Sequence, residues 1–218
     1  MALAVLGGLV GVDGVSCLQS MVARPIVAGP VAGALAGDPI AGMWAGVFLE
    51  LISLKELPIG ANRHWDTGPA AVVATVAAVT ISPASLALLI GVGSGVFVGW
   101  VGGWSIHSLR RVNASVVASA VGQPQAPAAL ERRHFAALGL DFARALVLTL
   151  AGTIGVLLVA PRLGDAPQGG VTASAVVLFV AASAALGVVV GTMVRGRRII
   201  GAFAAAILVS TVMTLWLR

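Results

Sequence analysis

The sequence predicts an all-α polytopic membrane protein, and three observations carry that prediction. Of its 218 residues, 59% are hydrophobic and only 10% charged, with a mean hydropathy of +1.04; an average soluble domain carries roughly 25% charged residues. Uncharged runs close to the ~20 residues needed to cross a bilayer recur after residue 83. There are 28 Gly and no Tyr, and the glycines fall at four-residue spacing, as in helices packed backbone to backbone in lipid. This composition excludes disorder and a soluble globular domain, which needs far more polar surface. The single Cys excludes an intramolecular disulfide framework.

A net charge of +5 and a pI near 11.3 suggest nucleic acid in a soluble protein. Here twelve of the thirteen cations are Arg, set in short clusters between apolar runs rather than on a face interleaved with aromatics. Nucleic-acid binding is therefore excluded, and the clusters are read as topology signals. The opening stretch from Met1 to Val12 has no cation ahead of it and no clear cleavage site, so it is expected to be a retained membrane segment.

Spans are expected at residues 84–106, 137–160, 171–194 and 199–217. Residues 68–82 are apolar but short, and Pro83 follows, so 68–106 reads as two tilted helices with a tight turn or as one broken helix. Segment 107–136 holds Arg110, Arg111, Arg132 and Arg133 around a Gln123-Pro124-Gln125 turn signal, and is expected to be a cytoplasmic loop. Residues 195–198, with three Arg, belong on the same side; 161–170, nearly uncharged, belongs outside. The division that follows is 1–106 as a substrate-core region with broken helices, 107–136 as cytoplasmic loop and 137–218 as transmembrane helices, all one integral membrane domain.

The N-terminal third has a different character. Five of the eight acids lie within the first 66 residues: Asp13, Asp38, Glu50, Glu56 and Asp66. The apolar runs between them, 25–37 and 39–49, are too short to span and are punctuated by Pro25, Pro30, Pro39 and Pro58. Such runs suit re-entrant hairpins or half-helices, and charges at membrane depth mark a solute or ion path. Residues 13–66 are therefore the expected functional region. The series Gly29, Gly33, Gly37, Gly42, Gly46 and the series Gly91, Gly95, Gly99, Gly103 are expected to be packing stripes.

Within this region stand, in order, Ala23-Arg24-Pro25, Gly33, Gly37-Asp38, Gly42, Leu49-Glu50-Leu51, Pro58-Ile59-Gly60-Ala61 and Asp66. This order and spacing resembles the mannose/fructose/sorbose-family membrane component IIC of the bacterial sugar phosphotransferase system (PTS), over roughly residues 5–80, with Ala36 where the family usually has Leu. The resemblance implies a subunit that translocates a hexose-like sugar across the bacterial cytoplasmic membrane with a IID membrane partner. It further implies cytoplasmic IIA and IIB phosphocarrier domains, an elevator-type architecture, a trimer of pairs, no cofactor, and no phosphorylated residue on this chain. A secondary transporter or channel for another polar solute is the alternative; an integral membrane enzyme is third, because no nucleophile–base set or metal motif is visible.

Sugar hydroxyls need groups that accept and donate. Glu50 is a candidate contact, or else a buried partner of Lys55 or Arg24. Asp66 is a second, with the cap of a helix starting at Thr67-Gly68-Pro69 as its other reading. Asn62 and Gln19 are supporting candidates. Asp38 is a further one, or the cap of a half-helix with Pro39 in its first turn. Asp13 is expected to be an entry or hairpin residue, and Trp65 an interfacial anchor or a stacking surface. His64, His107 and His134 do not cluster at metal spacing.

Overall fold

A computed structural model describes residues 1–54, 65–118 and 126–163, with isolated positions 177, 201, 204 and 208. Asn62, Lys55 and His64 lie outside the described residues, as do nearly all of the expected spans 171–194 and 199–217. The described residues form helices and no strand. Four short helices come first: α1 (Ala2–Val15), α2 (Pro25–Ala36), α3 (Pro39–Ser53) and α4 (Thr67–Thr80). Two long ones follow, α5 (Ala84–Ala118) and α6 (Ala126–Val159), the latter ending in a 3-10 turn over Ala160–Arg162.

The short helices have 14, 12, 15 and 14 residues. At 1.5 Å per residue each is about 18–23 Å long, against a hydrocarbon core of about 30 Å. Their ends are written in the sequence. Pro25 and Pro39 occupy first-turn positions, where a missing N–H costs nothing. Gly37, at φ 97°, ends α2 in the left-handed region that favours glycine. The Asp38 N–H then bonds the Gly33 carbonyl at 2.9 Å. The Asp38 carboxylate starts α3 by accepting from the Ile40 and Ala41 N–H groups at 3.0 and 2.9 Å. Two short helices joined by two residues thus make a tight antiparallel hairpin, as the proline punctuation predicts.

The hairpin closes backbone against backbone. A Cβ on Gly42 would lie 2.4 Å from the Gly29 carbonyl oxygen, and one on Gly46 would lie 2.3 Å from that of Pro25. Both are closer than real Cβ atoms come. We expect Gly42→Ala to force α2 and α3 apart and cost about 1–3 kcal/mol, the usual range for overpacking, read as a lower Tm in detergent. Gly93→Ala, with nothing within 4 Å of its Cβ position, is the control and should leave Tm unchanged.

α4 is the centre of the assembly, packed against α1, α2, α3, α5 and α6. Its Ala70–Ala77 stretch is buried throughout. Small residues permit this: Ala and Val give α4 a slim outline that neighbours approach from every side. On α5, Gly91 and Gly95 face the Ala74 and Ala70 carbonyls, so that stripe also packs. A third stripe, Gly7, Gly8 and Gly11, seats α1 on Thr149, Phe142 and Ala145 of α6.

α5 and α6 are long and apolar enough to cross a membrane, over Ala84–Ser115 and Ala129–Arg162. Trp100 and Trp104 of α5 are exposed. Residues 68–106 resolve into two helices joined at Ile81–Pro83, the first of the two readings. One expectation is corrected: 107–136 is not a loop throughout. α5 continues to Ala118 and α6 begins at Ala126, because the Ala, Leu and Arg residues flanking the turn signal are good helix formers. With 35 and 34 residues, these helices run about 50 Å, well beyond the apolar core.

Candidate functional site

A cavity of about 410 Å³ opens where the ends of the short helices meet. It is lined by Asp13 and Gly14 of α1, by Gln19, Met21, Ala23 and Arg24 of the following loop, and by Pro25 at the start of α2. Ser53 at the end of α3, with Trp65 and Thr67 at the start of α4, completes it. Its volume lies in the range of small-molecule sites, roughly 300–1,000 Å³. A second cavity of about 470 Å³ between α5 and α6 is walled by Ile90, Phe97, Val98, Leu148, Val156 and other apolar residues, with Ser94. It offers a polar solute almost no partner.

The loop between α1 and α2 has an unusual backbone. Leu18, Gln19 and Met21 have φ of 65°, 51° and 69°, values that residues with side chains rarely adopt. Asp13 supports this shape. One carboxylate oxygen accepts from the Ser20 N–H at 2.8 Å and the Ser20 hydroxyl at 2.6 Å; the other accepts from the Ala23 N–H at 3.0 Å. Asp13 is buried and holds the turn between α1 and α2. Across the loop, the Thr67 hydroxyl donates to the Ala23 carbonyl at 3.2 Å, joining α4 to the base of α2.

Glu50 is buried and forms an ion pair with Arg24. Its second oxygen accepts from the Ile26 N–H at 3.3 Å. Of the alternatives open for Glu50, pairing with Arg24 is the one seen. The Arg24 side chain keeps 43% of its accessible surface and borders the cavity. Glu50 therefore reaches the site through the guanidinium it holds.

Asp66 lies directly behind the cavity wall, between Trp65 and Thr67. It occupies the cap position of α4, but its carboxylate makes no cap hydrogen bond. It accepts instead from Nη1 of Arg144 at 2.7 Å, while its N–H bonds the Gly99 carbonyl of α5 at 3.0 Å. Gly102 leaves the room: a Cβ there would lie 2.4 Å from the Asp66 Cβ. Arg144 also donates through Nε to Asp141 at 2.8 Å and through Nη1 to the Ser105 hydroxyl at 3.0 Å. Asp141 in turn accepts from the Ser16 hydroxyl. Asp66 and Asp141 are 3% and 1% exposed, so this network sits in a dry interior where charge pairing is strong.

Of the residues singled out from sequence, Gln19 lines the cavity, Glu50 and Asp66 stand behind it on arginines, and Asn62 is outside the described residues. Asp38 is not brought to them. It caps the exposed tip of the α2–α3 hairpin, about 18 Å of helix from the Pro25–Ser53 end. Asp38→Ala should lower stability by about 1 kcal/mol, the usual cost of a lost cap, and Asp38→Asn should restore it. If Asp38 touches solute as well, the Asn variant would recover Tm but not binding.

Arg144, Asp141, Ser16 and Ser105 are the residues that sequence reasoning did not assign. The available signal was Asp141 and Arg144 three residues apart inside an apolar run, since paired charges at membrane depth are retained for a reason. Among the described residues, no group of His, Cys, Asp and Glu is arranged to hold a metal.

A family model described as PTS system sorbose-specific IIC component matches residues 1–159. This range covers the short helices, the cavity, both long helices and the Arg144 network. No curated protein matches the chain.

Proposed function

This chain belongs to the family of sorbose-specific IIC components of the sugar phosphotransferase system, and on that premise we propose that the 410 Å³ cavity is its sugar site. Membership makes it a membrane component that serves sugar transport by a PTS and works with other PTS components. The finer reading is a hexose-like solute bound among Gln19, Arg24, Ser53 and Thr67, with Trp65 as a stacking face. Glu50 and Asp66 support it from behind, and Asp38 shapes the hairpin; Asn62, a supporting candidate from the sequence, lies outside the described residues.

The observation that carries this reading is the lining. Amide, hydroxyl and guanidinium groups converge on one cavity at the meeting point of short helices, where broken helices in a membrane characteristically hold solute. Hydroxyls and an amide both donate and accept, which suits a sugar ring. An aromatic face alongside suits the apolar side of a pyranose.

In this reading α2 and α3 form a re-entrant hairpin, too short to span, within a mobile elevator core. α5 and α6 cross the bacterial inner membrane as part of a multi-pass bundle, their Arg-bearing ends at 107–118 and 126–136 on the cytoplasmic side. A IID chain completes the transporter, pairs assemble as trimers, and IIA and IIB phosphocarriers act at that cytoplasmic face. The chain itself is not phosphorylated.

The test is equilibrium binding by the full chain, alone and co-expressed with a IID-type partner, of L-sorbose, D-mannose, D-fructose and D-glucose. Saturable binding of one hexose that Gln19→Ala weakens supports the site. Binding of a hexose that is indifferent to Gln19, Arg24 and Thr67 substitutions would place the site elsewhere. Uptake by cells that continues without a phosphocarrier would remove the phosphotransfer coupling.

A further inference from the structure

The cavity is built from two rims that are far apart in sequence: the loop from Ser16 to Arg24, and the start of α4 at Trp65–Thr67. Each rim is tied, one step behind its lining residues, to the same place on α6. Ser16, which opens the first rim, donates to Asp141. Asp66, which lies inside the second, accepts from Arg144 at 2.7 Å. Asp141 and Arg144 are themselves joined at 2.8 Å. Among the described residues none of α6 lines the cavity, yet α6 holds both rims, beside the direct Thr67–Ala23 bond between them.

We propose that Asp141 and Arg144 are positioning residues: a bridge on α6 that sets the separation of the two rims, and so the solute affinity, without touching solute. The inference rests on the cavity being the solute site. A guanidinium is the required group, because Nε and Nη1 point to different carboxylates at once. An ammonium has no such fork. Strained backbone such as that of Leu18, Gln19 and Met21 persists only where the surroundings over-determine it, and the Ser16–Asp141 tether is one such restraint.

The chain carries its own reporter. Cys17, its one cysteine, is partly buried and adjoins Ser16. The experiment measures the N-ethylmaleimide labelling rate of Cys17 in the full chain in detergent, alongside Tm and binding of the hexose probes. Ser16→Ala removes a single hydroxyl and leaves Asp141 on Arg144, so the fold is retained. It should speed labelling about tenfold, the loss of one hydrogen bond to a charged group, and weaken hexose binding by a similar factor, with Tm lowered by only a few degrees. Asp141→Ala, which removes the acceptor outright, should do at least as much, and the double variant no more than Asp141→Ala alone, since both remove the same tether. Arg144→Lys should raise the labelling rate although its charge is kept.

Labelling of Ser16→Ala within about twofold of the natural chain, or a double variant whose effect is the product of the two singles, would overturn the bridge. Faster labelling with hexose affinity unchanged would make the tether purely structural and overturn its positioning role. A natural chain that binds none of the four hexoses would instead overturn the sugar reading, and the labelling cycle would still decide whether α6 holds the rim.

Discussion

Replacing Arg144 by Met should be the most damaging substitution in the described part of the chain. Its guanidinium is shared by Asp66 and Asp141, and both acids are almost fully buried. Removing one member of a buried charge set costs about 3–5 kcal/mol, because the remaining charges lose their compensation. A marginally stable domain has about 5–15 kcal/mol in all, so the variant should show a large fall in Tm or fail to accumulate. The sign of the second change separates charge from packing. Adding Asp66→Asn and Asp141→Asn to Arg144→Met removes the charges that the Met leaves uncompensated, and should restore part of the lost Tm. If Arg144 serves chiefly as packing volume, Met alone would be tolerated and the two Asn changes would only add further loss. Thermal unfolding of the natural chain, Arg144→Met and the triple variant in one detergent measures both outcomes.

Stability in this chain therefore has two sources that read very differently in the sequence. The α2–α3 hairpin was legible nearly to the residue. Pro25, Pro39 and the Gly37-Asp38 pair act on their own neighbours, and a glycine stripe announces which faces meet. Local steric rules decide these features, so they survive without knowledge of the fold. The polar network was not legible, because its partners are distant in the chain. Arg144 and Asp66 are 78 residues apart, and Ser16 and Asp141 are 125 apart. Nothing in spacing or periodicity selects those pairs.

Asp66 shows how the two levels compete. Thr67-Gly68-Pro69 marks a helix start, and the start is there, but the carboxylate that local rules assign to the cap goes to Arg144 instead. A guanidinium adds charge–charge attraction that neutral N–H groups cannot supply, and a dry interior strengthens it, so the distant arginine wins over the adjacent N–H groups. The segment 107–136 shows the reverse error. The Gln123-Pro124-Gln125 turn signal reads as a loop, and the flanking arginines extend that loop only because they mark the cytoplasmic side. Charge says which side of the membrane a segment occupies and nothing about whether it is helical. Glu50 lies between these cases: beside solute contact it had two possible ion-pair partners, Lys55 and Arg24, and only packing chooses between partners on either side of it.

The second large effect concerns that pair. Glu50→Gln keeps the side-chain volume on α3 but removes the charge that holds Arg24 against the cavity rim. Arg24 is less than half exposed and would swing toward water rather than remain over an uncharged amide. The Ile26 N–H can still bond the Gln carbonyl oxygen, so the start of α2 should hold. We therefore expect a modest change in Tm and a loss of hexose affinity of about tenfold or more, the equivalent of one hydrogen bond to a charged group. Arg24→Leu should lower affinity at least as far, but with a second consequence. It leaves the Glu50 carboxylate buried without its cation, and should also lower Tm by several degrees, where Glu50→Gln does not. The double variant Arg24→Leu/Glu50→Gln relieves that buried charge. It should recover Tm without recovering affinity. That pattern, affinity lost in all three variants and stability lost in one, is what a guanidinium that contacts solute and is held by Glu50 produces. Affinity that returns together with Tm in the double variant would reduce the pair to a support of the hairpin. Isothermal titration of the hexose probes, run beside thermal unfolding on the same preparations, reads both quantities.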